Sequence, residues 1–270
     1  MSEQPGLSYA IRKALLTGEA SGKVFAARQV ARDWRLGRLR FDLEDGDAAA
    51  MPDRPAWPDD LVLLPPSQMP KRGKGGSERG RIALWHALAH IEFVAIDLAL
   101  DIVGRFGGTM GEEFASDFLA VAADEAMHFA LLDRKLGTHG SRYGALPVHD
   151  GLWQAAQDTA GDVGARLAVV PMVLEARGLD VTPATRDRVA SSGDSRGAAI
   201  LQRILDDEIR HVAFGTKHFS RVAAARGENP PELWRKLVES RFSGAIKPPF
   251  NDSARRSAGL SREFYGLLAS

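Results

Sequence analysis

Asp124-Glu125-Ala126-Met127-His128 and Asp207-Glu208-Ile209-Arg210-His211 decide how this sequence is read. Each places a histidine three residues after a glutamate, a spacing that puts both side chains on one face of an α-helix. A lone Glu-x-x-His means little, because 14 glutamates and 7 histidines in 270 residues give roughly 0.4 such matches by chance. The partners of the two motifs lift the signal. Glu92 lies 33 residues before Glu125, and Glu175 lies 33 before Glu208, so the pattern repeats with an offset of 83 (175 − 92 and 208 − 125). An acidic residue, Asp124 or Asp207, immediately precedes each motif glutamate.

Four long apolar-periodic stretches carry these residues, over 77–106, 111–136, 150–178 and 194–226, and their texture predicts helices. The first is expected to stop at Gly107-Gly108 and the second at Gly137, while Asp150 and Asp194 are natural caps for the third and fourth. Gly178 reads as a breaker, and Thr182-Pro183 as the cap and first residue of an extra short helix. Pro171 should kink the third helix ahead of Glu175, because it frees the carbonyl of Leu167. In an antiparallel hairpin turning at Gly107-Gly108, Glu92 and Glu125 stand at one height and face each other. Glu175 and Glu208 are centred on Ser191-Ser192 by the same arithmetic.

Helical phase supports this placement. Phe118, Val121, Ala122, Phe129 and Leu132 share the face of Glu125, and Ile204, Leu205, Val212 and Gly215 share that of Glu208. Four carboxylates on apolar faces need compensating charge, and two divalent cations would supply it. Asp124 and Asp207 then have a use, since a ligating imidazole usually donates its second N–H to a carboxylate. They are expected to hold His211 and His128 across the bundle, or the histidine of their own helix.

One glutamate from each of two helices plus Glu-x-x-His from each of two others is the ligand set of the ferritin-like carboxylate bundles. Residues 77–226 resemble that superfamily. The phrases Ala89-His90-Ile91-Glu92, Leu146-Pro147-Val148-His149-Asp150-Gly151, Pro171 to Asp180 and Lys247-Pro248-Pro249-Phe250-Asn251 resemble a bacterial ferritin-like family known only as a domain of unknown function. The resemblance implies an all-α, ferritin-like four-helix bundle. It also implies two iron ions, with manganese an alternative at one or both positions, held by Glu92, Glu125, His128, Glu175, Glu208 and His211, the four glutamates serving catalysis. The activity it implies is a non-haem di-iron or Fe/Mn oxidoreductase, an oxygen-activating hydroxylase or oxygenase. Molecular oxygen, an external electron donor and a small-molecule or modified-nucleoside substrate would be its partners. The alternative is ferroxidase or iron handling without an organic substrate. Roughly 120 residues outside the bundle, 76 before it and 44 after, could roof a pocket and favour the enzyme.

Composition sets the bounds. At 270 residues and 44% apolar content the chain can bury a core without staples, and with no cysteine it has no disulfide, iron–sulfur cluster or rubredoxin-type site. Balanced charge, 35 basic against 35 acidic residues, gives no global field towards nucleic acid or membrane. Lys71, Arg72, Lys74, Arg79 and Arg81 could grip a phosphate, but no aromatic platform stands beside them, so a solvated loop is the better reading and nucleic acid is not favoured. Met1 to Lys13 lacks a secretory layout and no run of about 18 uncharged apolar residues occurs, which predicts a soluble, cytoplasmic protein. Three regions are expected: 1–76, a helical segment and proline-rich belt; 77–226, the bundle; and 227–270, a tail packing on it. His86, His90, Asp97 and Asp101 lie about 120 to 180° from Glu92 and read as a polar outer face under the N-terminal segment.

Overall fold

Helix caps written into the sequence start most of the elements seen in the computed structural model, which describes residues 4–44, 50–69 and 77–267. Glu19 accepts from Ser21 N at 2.9 Å and opens helix α2, Ala20–Arg35, behind α1, Leu7–Leu15. Ser77 accepts from Gly80 N at 3.1 Å and opens α3, Glu78–Met110. Gly111, at φ 85°, ends α3 and admits α4, Glu112–Gly137, directly after it. The remaining elements are a 3-10 turn (Pro66–Gln68), α5 (Gly151–Asp158), α6 (Val163–Val169), a π-helical turn (Val170–Glu175), α7 (Ala176–Ser191), α8 (Ser195–Arg226), α9 (Pro230–Arg241), α10 (Asp252–Ser257) and α11 (Arg262–Tyr265). The chain is all-α. Among the described residues there is no strand, only isolated bridges pairing Gly6 with Arg40 and Leu63 with Val148. No helix among them is long and apolar enough to cross a membrane. The basic loop expected at 71–76 lies outside the described residues.

The chain divides into two compact units, Met1–Trp153 and Gln154–Ser270. In the first, α3 and α4 form a hairpin covered by α1 and α2. The proline-rich belt crosses this unit in extended form, Leu64 N donating to Val148 O at 2.8 Å and Val148 N to Val62 O at 2.9 Å. In the second, α7 and α8 form a hairpin against which α6, α9 and α10 pack. Each unit therefore carries one of the two repeated glutamate and Glu-x-x-His sets.

Three expectations about helix ends are corrected. First, α3 does not stop at Gly107-Gly108 but continues to Met110. Those glycines serve close approach: a Cβ at Gly108 would lie 2.4 Å from the Leu43 carbonyl oxygen, and one at Gly107 2.4 Å from the Leu43 side chain. Second, the stretch 150–178 is not one helix. It breaks after Asp158, where buried Arg166 donates to Thr159 Oγ1 at 2.9 Å and Ala156 O at 2.6 Å, and restarts at Asp162, whose carboxylate caps Gly164 N at 2.7 Å. Third, Gly178 breaks nothing, and Thr182-Pro183 starts no new helix, because α7 runs through both. Pro183 frees the carbonyl of Leu179 four residues back, and Asn251 Nδ2 from the tail donates to that oxygen at 3.1 Å. An interior proline is tolerated where a distant residue supplies the lost donor.

At Pro171 the helix widens into the π-helical turn ending at Glu175. The wide turn presses Pro171 against α8, where a Cβ at Gly215 would come within 2.5 Å of the proline ring.

Candidate metal centre

In the first unit the hairpin brings Glu92 from α3 together with Glu125 and His128 from α4. Each offers a ligand atom within 4.8 Å of the others'. His128 Nδ1 lies 3.3 Å from Glu125 Oε2 and 3.4 Å from Glu92 Oε2. All three are buried, Glu125 and His128 completely, among Phe118, Val121, Ala122, Phe129 and Leu132 on α4 and Phe93 and Ile96 on α3. Burial pushes the Glu92 carboxyl well above the usual carboxylate range; the charge of Glu125 adds to this, and His128 opposes it. Two carboxylates and an imidazole in apolar surroundings form a costly cluster without a cation and a good oxygen-and-nitrogen donor set for one. The residues fit a divalent metal.

In the second unit Glu208 and His211 lie on one face of α8, His211 Nδ1 being 3.7 Å from Glu208 Oε1, and both are buried. Glu175 is half-buried at the end of the π-helical turn. Asp207 is engaged on its own helix by Arg203, whose Nε lies at 2.6 Å, and by Arg210 at 3.5 Å. Asp124 is half-buried on α4.

His86, His90, Asp97 and Asp101 do lie under the N-terminal segment, yet they are not an outer face, since all four are buried. Asp97 pairs with the fully buried Lys23 of α2 and accepts from Trp57 Nε1 at 2.9 Å. Asp101 accepts from Arg105 Nε at 2.7 Å. His90 Nε2 faces the His149 carbonyl at 3.0 Å, so it carries the proton, and Nδ1 accepts from the Tyr143 hydroxyl at 2.9 Å.

Tyr143 is the residue that sequence reasoning missed. It stacks on His86 and His90 and packs on Phe129 at 5.1 Å and Phe93 at 5.0 Å, the neighbours of His128 and Glu92. Burial raises its hydroxyl pKa, which keeps it a donor. It belongs to an irregular linker, where no periodicity announces a buried side chain.

Burial pushes His86 down to about 4, so its ring is neutral at physiological pH. An unfolded chain would bind that proton near the ordinary value of 6.5, hence above the folded pKa. Stability contributed by the neutral ring is then complete above 6.5 and lost as pH falls towards 4. A His86→Gln variant is expected to lose less stability between pH 7 and pH 5 than the parent, read from urea midpoints; equal losses would contradict this.

The comparisons agree with a single lineage over most of the chain. Residues 16–266 match the family model described as protein of unknown function (DUF455). An uncharacterised protein of Haemophilus influenzae is 40% identical over 213 residues, 77% of this chain and 74% of that protein. No solved structure matches. With nearly its whole length covered by that model, the chain belongs to the DUF455 family.

Proposed function

We propose that this protein is a non-haem di-iron or Fe/Mn oxidoreductase, an oxygen-activating hydroxylase or oxygenase, on a ferritin-like four-helix bundle. The buried cluster of Glu92, Glu125 and His128 is the observation that carries the reading. Glu175, Glu208 and His211 repeat the same residue types at the same spacing and would complete the ligand set. When bound, the metal pair supplies oxygen activation, drawing electrons from an external donor.

The chain's own residues have three tasks in this scheme. Glu92 and Glu125 place negative charge where a divalent pair needs it. His128 presents Nδ1 beside both carboxylates, at 3.3 and 3.4 Å. Phe93, Phe118, Phe129 and Leu132 keep water from the cluster, which strengthens every charge interaction inside it.

Metal analysis of protein purified without chelator tests the proposal. About two iron or manganese ions per chain are expected, falling sharply in Glu125→Ala and in His211→Ala. Wild-type protein that stays metal-free after anaerobic reconstitution would sink the reading. A large assembly that accumulates iron would turn it towards iron handling.

A further inference from the structure

A cavity of about 300 Å³ opens in the first unit on the opposite side of α3 from the carboxylate cluster. His86 lines it and Glu92 does not; six residues of helix rotate by about 240°, which turns the two away from each other. The walls are apolar, built by Met69, Ala83, Ala87, Ile91 and Leu152. A volume of this size is at the small end of ligand pockets, suited to a one- or two-ring molecule.

Two histidines set the polar character of the cavity. His86 Nε2 accepts from the backbone N–H of Gly144 at 3.0 Å and of Leu146 at 3.3 Å. That ring is neutral, so the proton sits on Nδ1, and Nδ1 makes no hydrogen bond with the described residues. The side chain is 98% buried, and the little surface it keeps borders the cavity. His149 Nδ1 accepts from Gly151 N at 3.2 Å, which leaves the proton on Nε2 of a ring that also lines the cavity. His90, the third histidine of the lining, is spent on Tyr143 and the His149 carbonyl.

The lining therefore offers two N–H donors on uncharged rings within apolar walls. A ligand must bring an acceptor, and a buried donor left without one is costly. Among the described residues no cation lines the cavity, and Asp150, next to His149, is paired with Arg54 at 2.6 Å. We infer that this cavity binds an uncharged, largely apolar ring compound bearing a carbonyl oxygen, the class of small quinones and cyclic ketones, with His86 and His149 as donors. The inference does not rest on the metal reading, since it uses none of the six carboxylate-cluster residues.

1-Indanone tests it, with indane as the isostere lacking the carbonyl and benzoate as the anionic comparison, titrated against the full chain by ligand-observed NMR. Saturable binding of 1-indanone below about 1 mM is expected, with indane about tenfold weaker and benzoate weaker than the ketone. Ala87→Phe, at a partly exposed position, should abolish binding by filling the cavity. His149→Phe, on an irregular segment, should weaken the ketone about tenfold and leave indane unchanged. Failure of 1-indanone to bind, equal affinity for indane, tighter binding of benzoate, or unchanged ketone affinity in either folded variant would overturn the assignment.

Discussion

Replacing Lys23 by methionine is expected to destabilise the protein by about 3–5 kcal/mol, the usual cost of stranding one member of a buried ion pair. Lys23 and Asp97 are both fully buried, and Lys23 Nζ also lies 5.4 Å from the centre of the ring of Phe93, the residue after Glu92. Burial already raises Asp97 to about 6 against the opposing pull of Lys23 and Trp57. With the lysine gone, the carboxylate must either stay charged in apolar surroundings or take up a proton. The second route is easier at low pH. The deficit relative to the parent should therefore be larger at pH 7 than at pH 5, measured as the difference in urea unfolding free energy. Lys23→Met with Asp97→Asn should recover most of the loss, because a neutral amide can still accept from Trp57 Nε1. A single variant as stable as the parent at pH 7 would show that the pair carries no such weight.

Asp180→Ala is expected to have an effect of similar size, about 3–5 kcal/mol, in the second unit. Its carboxylate takes Arg255 Nε at 2.8 Å and Nη2 at 2.7 Å, and accepts from Asn251 N at 2.9 Å. Arg255 is itself buried, with Tyr265 4.5 Å and Phe250 5.2 Å from its guanidinium. Arg177 adds two bonds to the same segment, to Lys247 O at 2.8 Å and Pro249 O at 3.0 Å. Asp180 thus clamps the tail onto α7, and its removal leaves a buried guanidinium without its bidentate partner. The variant should show both a lower unfolding midpoint and faster proteolysis between α9 and α10. Asp180→Asn with Arg255→Met should restore much of the stability. Parent-like proteolysis in Asp180→Ala would mean that the tail is held by other contacts.

This clamp also explains two phrases that stood out in the sequence. Arg177 to Asp180 and Lys247 to Asn251 are some 70 residues apart, yet each supplies the other's hydrogen-bond partners. In the sequence they carry the family resemblance; in the structure they are the two sides of one junction.

What the sequence by itself determined was whatever local periodicity and capping control. The all-α class, the helices carrying all six glutamate and histidine positions, and the meeting of Glu92 with Glu125 and His128 all follow from a 3.6-residue repeat and a short hairpin turn. Asp194, which caps the start of α8, acts within a turn of its own position and was equally legible. The tertiary structure decided the rest. Gly107, Gly108, Gly178 and Pro183 are breakers by propensity, but each lies inside a helix. At Gly107 and Gly108 the missing side chain admits Leu43, and behind Pro183 the freed carbonyl receives Asn251. Asp97 reads as part of an outer face in the sequence, but its partner Lys23, 74 residues away, is buried with it. Tyr143 came from a linker with no pattern to read. Propensity weighs tenths of a kcal/mol to about 3 per residue, and burial, packing and ion pairing across the chain outweigh it wherever they act together.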